Sequence, residues 1–422
     1  FVMDEAFDEW EFPKRKWVVG WIVGTPEFQG SSSFFKDWSE KDLEDMILRD
    51  RNHASIFMWS IGNEVDYPND PYSHPVLNGA SINQPVYGGY LPNSPNAERL
   101  GDIAKRFSAI VRKLDTSRPV TAALAGVIMS NETEYPFALD VAGYNYTEGR
   151  YEMDHKATRD KDYVFGQFIW TGIHYLGESG VWPARGFNSG LLDFGGFLKP
   201  RGYFRKALWS PKPSIYLGTY PLPSKADYLS MDAIATWNYK PNEMIRVVCY
   251  TNAPKNKLML NGKQIGDVKG LDDKSGIVYW DIPYEAGKLE VTGLDNDNKS
   301  IGTYAIESSD RPNKINVTVD KNTINSDLGL AHITIQVVDE NGVPVMISDE
   351  EVTCTVEGPG KLLGLESGNN SDMTSYSDNV HRIYHGRILA YIQSSGEEGD
   401  IKVKFSIPWL PEAIVTIKSV KK

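Results

Sequence analysis

The chain has 422 residues, enough for two to four domains that each bury a core. Its 44 Lys and Arg stand against 56 Asp and Glu, a net charge of −12 with no basic block, which argues against nucleic acid or an anionic membrane surface as a partner. Only two cysteines occur, Cys249 and Cys354, far apart in the sequence, so a disulfide scaffold and a Cys-based metal cluster are excluded. No apolar run approaches the roughly 18 residues of a membrane-spanning helix, and 41% hydrophobic with 12% aromatic content excludes disorder as the general state.

The opening Phe1-Val-Met-Asp-Glu-Ala-Phe7 reads as a strand already in progress, so Phe1 is expected to be an internal position of a longer polypeptide. Ser39 is placed to cap a helix through Asp50, with Leu43, Met46 and Ile47 on one face. Ser55 to Ile61 follows as a buried strand. The stretch from Tyr67 to Asn96 is rich in Pro, Gly, Asn, Ser and Tyr, has no period, and reads as a long loop walling or covering a site. Leu100, Ile103, Ala104, Phe107, Ile110, Val111 and Leu114 form a helical stripe. Pro119–Leu124, Asp140–Tyr146 and Phe165–Trp170 are three further strands. This alternation predicts a parallel sheet with helices outside it.

After Pro221 the texture changes to short alternating runs, among them Ile245–Tyr250, Leu258–Leu260, Gly287–Val291 and Ile333–Val337, separated by Asn-Gly, Asp-Asn and Gly-Pro turns. Two β-sandwiches of about 90–110 residues fit this spacing, joined near Arg311–Lys314. The expected division is therefore 1–217, 218–310 and 311–422. Phosphate loops, nucleotide-binding glycine fingerprints and metalloprotease motifs are absent, and the seven histidines show no metal-ligand spacing.

Polar residues that follow a buried strand are those a parallel barrel presents at its catalytic mouth. Four strands end in this way, at Asp4-Glu5, Asn63-Glu64, Asn145-Tyr146 and Trp170-Thr171. Singly each is commonplace, and Tyr146 or Trp170 alone reads as a core or rim aromatic. Together they describe a pocket with carboxylates, hydrogen-bond donors and a flat apolar wall, which is what a sugar asks for. Trp17, Trp21 and Trp209 read as core, whereas Trp170 reads as a stacking surface. His174 lies four residues beyond Trp170 and is the one histidine drawn towards the same pocket.

The segments Asp4-Glu-Ala-Phe-Asp-Glu-Trp10, Ser55-Ile-Phe-Met-Trp-Ser-Ile-Gly-Asn-Glu64, Tyr144-Asn-Tyr146 and Phe168-Ile-Trp-Thr-Gly-Ile-His-Tyr-Leu-Gly-Glu178 resemble glycoside hydrolase family 2, in particular the multi-domain β-galactosidases of polysaccharide-degrading bacteria. The resemblance runs over essentially the whole chain. It implies a (β/α)8 TIM barrel followed by two immunoglobulin-like domains, and retaining hydrolysis of a terminal β-glycosidic bond, a β-galactoside first. Glu64 would be the general acid/base, with a pKa raised by burial and a neighbouring carboxylate. Asn63 would hold the sugar 2-hydroxyl, Tyr146 would bond the nucleophile, and Trp170 would form the subsite wall, with a cis Trp170–Thr171 peptide. Glu5 belongs to the same mouth. The implied partner is an oligo- or polysaccharide, with no organic cofactor, no motif that asks for a metal, a periplasmic or secreted setting, and homo-oligomerisation left open.

Two departures from the family pattern matter. Many relatives have Asp where this chain has His174, so a modified galactose becomes plausible; and the uronate-clamping Asn-x-Lys would fall near Asn188-Ser-Gly190, which lacks its Lys. The strand that carries the nucleophilic Glu should lie between Tyr146 and Phe165, where the sequence is charged and turn-like. Glu148, Glu152 and Glu178 follow no buried strand and are poor substitutes. Barrel strands one and two would precede Phe1, and about twenty residues carrying strand seven are expected to be absent between His155 and Asp162, with a break near Thr158–Arg159. The rival readings are a β-mannosidase or β-glucuronidase, and a non-catalytic carbohydrate-binding protein on a degenerate barrel.

Overall fold

A computed structural model describes residues 1–15, 31–78, 89–145, 169–177, 179–224, 229–273 and 275–421. The chain divides into two units, Phe1–Trp170 and Thr171–Lys422. In the first, four strands lie side by side and run in one direction: β1 (Val2–Glu5), β2 (Ile56–Asn63), β3 (Val120–Leu124) and β4 (Val141–Tyr144), in that order. Strand β2 is apolar on both faces because it has neighbours on both sides and helices above it, as a central strand of a parallel sheet requires. The predicted parallel sheet with outer helices is what the residues form.

Helix α1 spans Phe35–Asp50 and α2 spans Glu98–Leu114. Leu100, Ile103, Ala104, Phe107 and Val111 give α2 its buried stripe; Glu98 at its start and Arg112 and Lys113 at its end complement the helix dipole. Phe107 carries the contact inward, meeting Phe7, Trp10 and Phe35 with ring centroids 5.3–5.7 Å apart. The expectation that Ser39 caps α1 is corrected. A 3-10 turn, Ser32–Phe34, leads into the helix at Phe35, and Ser39 is buried inside it. Glu9 supplies the end bond instead, its Oε1 accepting from the Ser32 backbone N–H at 3.0 Å.

The second unit begins with a short hairpin, β5 (Tyr175–Leu176) and β6 (Gly186–Phe187), and helix α4 (Pro200–Trp209) follows the small helix α3 (Val127–Asn131) of the first unit in chain order. Two sheets then enclose one core. One contains β7 (Ile215–Pro221), β8 (Met244–Thr251) and β11 (Val278–Pro283); the other contains β9 (Lys255–Leu260), β10 (Lys263–Lys269), β12 (Lys288–Leu294) and β13 (Ser300–Glu307). Leu217, Val247, Cys249, Leu258, Trp280 and Val291 fill the space between them. The Asn261-Gly262 dipeptide turns β9 into β10 with both residues at positive φ, the conformation a two-residue hairpin loop needs.

A second pair of sheets completes the chain. β14 (Lys314–Val319), β16 (Leu330–Val338), β18 (Gly360–Glu366) and β20 (Arg387–Ser394) form one. β15 (Thr323–Asn325), β17 (Glu351–Glu357), β19 (Val380–Arg382), β21 (Gly399–Ser406) and β22 (Ala413–Val420) form the other. Ile333, Ile335, Cys354, Ile388 and Phe405 lie between them. Both cysteines are free and buried; burial pushes the Cys354 thiol up to about 12, so it stays protonated. Among the described residues no helix follows Trp209, as the texture after Pro221 predicted. Trp209 itself is corrected from core to surface: it is 46% exposed, with the Arg205 guanidinium over its ring at 4.9 Å, because it closes α4 on the helix's outer side.

The loop between β5 and β6 and the loop after β18 hold each other. Asn370 donates to the Gly186 carbonyl and accepts from the Gly186 N–H, both at 3.0 Å, and the Asn370 carbonyl accepts from the Arg185 N–H. Beside them the Arg185 guanidinium bonds Glu366 Oε1 at 2.5 Å, with both side chains about nine-tenths buried. Sequence gives no hint of this clasp, since its halves lie on unrelated segments.

Candidate active site

Glu64 sits where β2 ends, and its backbone takes φ of +51°. That left-handed conformation is uncommon for a side chain of this size, and such residues cluster where a structure over-determines its backbone for function. The surroundings supply the constraint. Glu64 N–H donates to the Ala123 carbonyl at 2.7 Å, and Asn63 N–H to the Phe7 carbonyl at 2.9 Å. Phe7, beyond the end of β1, is also left-handed, at +69°. A Cβ at Gly62 would press on the indole of buried Trp10 at 3.1–3.2 Å, so a side chain there needs that packed ring to shift.

The side chains converge at these strand ends. Asn145 Nδ2 donates to Glu64 Oε1 at 3.0 Å, which brings together the ends of the strands Ile56–Asn63 and Val141–Tyr144. Asn63 Nδ2 donates to Asp8 Oδ1 at 2.9 Å. Lys14, 4% exposed, donates to the Asn63 carbonyl at 2.7 Å and lies 3.3 Å from Asp8. Glu5 Oε2 accepts from the Ser60 hydroxyl at 2.7 Å. Burial raises the Glu5 pKa, Ser60 opposes that shift, and the Asp8 charge adds to it. Below this layer, buried Asp66 ties the loop after Glu64 to the loop after β3, accepting from the N–H groups of Ala125 and Gly126 and from the Ser130 hydroxyl. Its desolvation outweighs those bonds and raises its pKa.

Three of the predicted site residues, Glu5, Asn63 and Glu64, thus share one end of one sheet in the first unit. Asp8, Lys14 and Asp66 join them without having been singled out. Asp8 lay inside the family-like Asp4–Trp10 segment, but Lys14 and Asp66 carried no signal, because their partners lie 49 and about 60 residues away. Trp170 ends the first unit with its indole 47% exposed. The Trp170–Thr171 bond is trans, which corrects the expected cis bond; trans is the low-energy state of a non-proline peptide, and the cis bonds among the described residues are Asp70–Pro71 and Trp182–Pro183. Tyr146, Glu148, Glu152, Glu178 and the expected break near Thr158–Arg159 lie outside the described residues, as do Trp17 and Trp21.

His174 belongs to the second unit and is 7% exposed. Its Nδ1 accepts from the Gly190 N–H at 3.2 Å, so a neutral ring carries its proton on Nε2. Phe194 meets it edge-on at 5.2 Å. Burial lowers its pKa to about 4, helped by the charges of Lys199, Arg201 and Arg185 and opposed by Asp232. As pH falls from about 6.5 towards 4, the unfolded chain binds this proton before the folded one does, so folding stability falls in that window. His174→Gln, which keeps an acceptor and removes the proton, is expected to lessen the drop in melting temperature across that window. His385, also lowered to about 4 by burial, keeps the slope from vanishing. An unchanged profile in thermal melts at several pH values would show that His174 titrates normally.

Among the described residues no group of three or more His, Cys, Asp or Glu could hold a metal ion, and no helix is long and apolar enough to cross a membrane.

Comparison with known proteins gives these strand ends a family. The model of the glycosyl hydrolases family 2 TIM barrel domain matches residues 35–138, that of the family 2 C-terminal domain 5 matches 315–416, and a domain of unknown function (DUF4982) matches 242–302. The chain is 28% identical to β-galactosidase BoGH2A of Bacteroides ovatus over 494 aligned positions, covering 99% of this chain and 54% of that one. It is 25% identical to a putative β-glucuronidase of Formosa agariphila, covering 95% of this chain and 41% of that one. A crystal structure of a family 2 member from Bacteroides cellulosilyticus superposes with a TM-score of 0.71 at 27% identity, covering all of this chain and 55% of that one. The chain therefore spans about half the length of the curated relatives it matches. Its barrel and C-terminal segments both match models of glycoside hydrolase family 2, and the curated and structural relatives support the same family for this chain.

Proposed function

We propose that the chain carries the catalytic barrel and two immunoglobulin-like domains, at 1–217, 218–310 and 311–422, of a retaining exo-β-glycosidase that acts on terminal β-galactosides of oligo- or polysaccharides. The observation that carries this reading is Glu64, a carboxylate in left-handed backbone conformation at a parallel-strand end, held through Oε1 by Asn145. Glu64 protonates the leaving oxygen and then, as carboxylate, activates water against a glycosyl-enzyme. Asn63 takes the 2-hydroxyl, Trp170 the sugar's apolar face, and Glu5 and His174 further hydroxyls; Tyr146 bonds the nucleophile. That nucleophile is a Glu on a strand missing between His155 and Asp162, about 5–5.5 Å from Glu64 across the sugar. The alignment to the Bacteroides ovatus relative runs over 494 positions, more than the 422 of this chain, so the relative has stretches with no counterpart here, as this reading expects.

The test has two arms. Reading the coding sequence across residues 146–165 is expected to reveal a strand-like run ending in Glu, and a coding sequence with no such insertion would favour the carbohydrate-binding reading. A panel of nitrophenyl glycosides with the protein encoded by that sequence is expected to give fastest release from the β-galactoside. A β-uronide is the second reading, favoured by the three cationic side chains that act on His174. His174→Asp should shift preference towards unmodified β-galactosides with little change in pH optimum; loss of all hydrolysis would make His174 structural or catalytic.

A further inference from the structure

A cavity of about 810 Å³ opens inside the second unit, walled by α4 and by both pairs of sheets. This is the size range of small-molecule sites. Its charge balance is uneven in one place. Asp232 is held in a forked pair by Arg201, at 2.8 and 2.6 Å. Asp193 directs Oδ1 to the N–H groups of Gly195 and Phe197. Arg387, at the start of β20, has no such match. Its guanidinium lies over the Phe197 ring at 4.1 Å, its ion pair to Asp193 is 3.7 Å long, and among the described residues its side chain donates no hydrogen bond. A fork of five donors has one long-range partner.

Besides Asp193, the groups around Arg387 include donors and flat faces. Tyr203 and Tyr304 line the same cavity and are close enough to influence its charge, and neither hydroxyl has a hydrogen-bond partner among the described residues. Burial raises Tyr304 to about 12, so its hydroxyl keeps its proton and can donate. Tyr203 lies stacked on Tyr216 at 4.3 Å, which fixes its ring. Neighbouring His385 is neutral at pH 7 and adds no charge beside the Arg387–Asp193 pair. A guanidinium fork beside phenolic O–H groups is complementary to a planar or tetrahedral oxyanion, and aromatic faces beside it suit a pyranose ring.

We infer that this cavity binds the carboxylate or sulfate of a charged saccharide, anchored by Arg387 with the Tyr203 and Tyr304 hydroxyls as further donors. The saccharide part rests on the glycosidase reading above; the oxyanion part does not.

Equilibrium binding to the full chain tests it, with digalacturonate, galactose 6-sulfate, galactobiose and inorganic sulfate as probes. At least one charged sugar is expected to bind tenfold or more tightly than galactobiose, and the preferred one tells carboxylate from sulfate. Arg387→Gln should weaken that binding at least tenfold and Tyr304→Phe severalfold, while Arg387→Lys, which keeps charge without the fork, falls between. Should the Gln variant fail to fold, the Lys and Phe variants carry the readout. Equal binding of charged and neutral sugars, or no effect of these substitutions, would overturn the proposal. Inorganic sulfate binding as tightly as the sulfated sugar would overturn its saccharide part. Galactoside turnover is measured in parallel: if it persists while charged sugars fail to bind, this inference falls and the glycosidase reading stands.

Discussion

Glu64→Gln is expected to lower turnover of alkyl β-galactosides by roughly 10²–10⁴-fold, the usual worth of general acid–base help. The substitution preserves shape and the acceptor for Asn145, so the loss reports on the proton and not on packing. Aryl glycosides with acidic leaving groups need little protonation at the first step, so they should form the glycosyl-enzyme nearly as fast as wild type and stall at its hydrolysis. Pre-steady-state assays with a dinitrophenyl and an alkyl glycoside separate the two. Equal losses on both substrates would reassign Glu64 to binding or to the nucleophile's role. The strained backbone adds a second consequence: the residue's aim depends on the Glu64–Ala123 and Asn63–Phe7 bonds, so mutations in β3 that weaken the former should reduce kcat more than KM.

Glu366→Ala should be the most destabilising single change in the second unit outside its apolar cores. Removing one member of a buried ion pair leaves the other charged and without its partner, at a cost of about 3–5 kcal/mol. Arg185 would retain the Phe194 ring, 4.4 Å away, and the charge of Asp372 against that cost, and its Nε has no hydrogen-bond partner among the described residues. In a unit of this size about 1 kcal/mol moves the melting temperature by roughly 2–4 °C, so a fall of about 10 °C is expected by calorimetry. The double change Arg185→Met with Glu366→Leu removes both charges and should recover most of it. A single variant melting within a degree of wild type would mean that water reaches the pair and satisfies Arg185.

What was legible in the sequence was whatever local spacing determines. The stripe from Leu100 to Val111 fixes which face of α2 is buried, and the Asn261-Gly262 pair is sufficient for a two-residue turn because both residues tolerate positive φ. The strand ends Asn63 and Glu64 could be found because a buried run must stop before them, whereas Glu5 closes a strand, Val2–Glu5, that is largely exposed. Ser39 misled because a Ser before an apolar stripe has the same appearance whether it caps a helix or lies within one; the decision was made by Glu9, some 23 residues away from the end it satisfies. Lys14 and Asp66 escaped notice for the same reason. Their importance comes from being buried against distant partners, and a single lysine or aspartate in a string of letters does not show what will cover it. Trp209 misled in the other direction, since aromaticity predicts burial on average, while a helix's last turn can leave one face in water.

The clasp between Gly186 and Asn370 also imposes an order of events at the ribosome. Its two halves are 184 residues apart, so at about 5–20 residues per second the second half emerges roughly 10–40 s after the first. For that interval the loop after β5 has no Asn370 or Glu366 to close upon, while Ile173 and Leu176 before it and Val181 and Trp182 within it are exposed even in the finished fold. The nascent chain thus waits with an apolar loop in solvent until β14 to β18 have been synthesised, with β19 to β22 still to come. Translation speed through residues 190–366, and the chaperones met during it, should therefore govern how much active protein a cell recovers, independently of how stable that protein is once made.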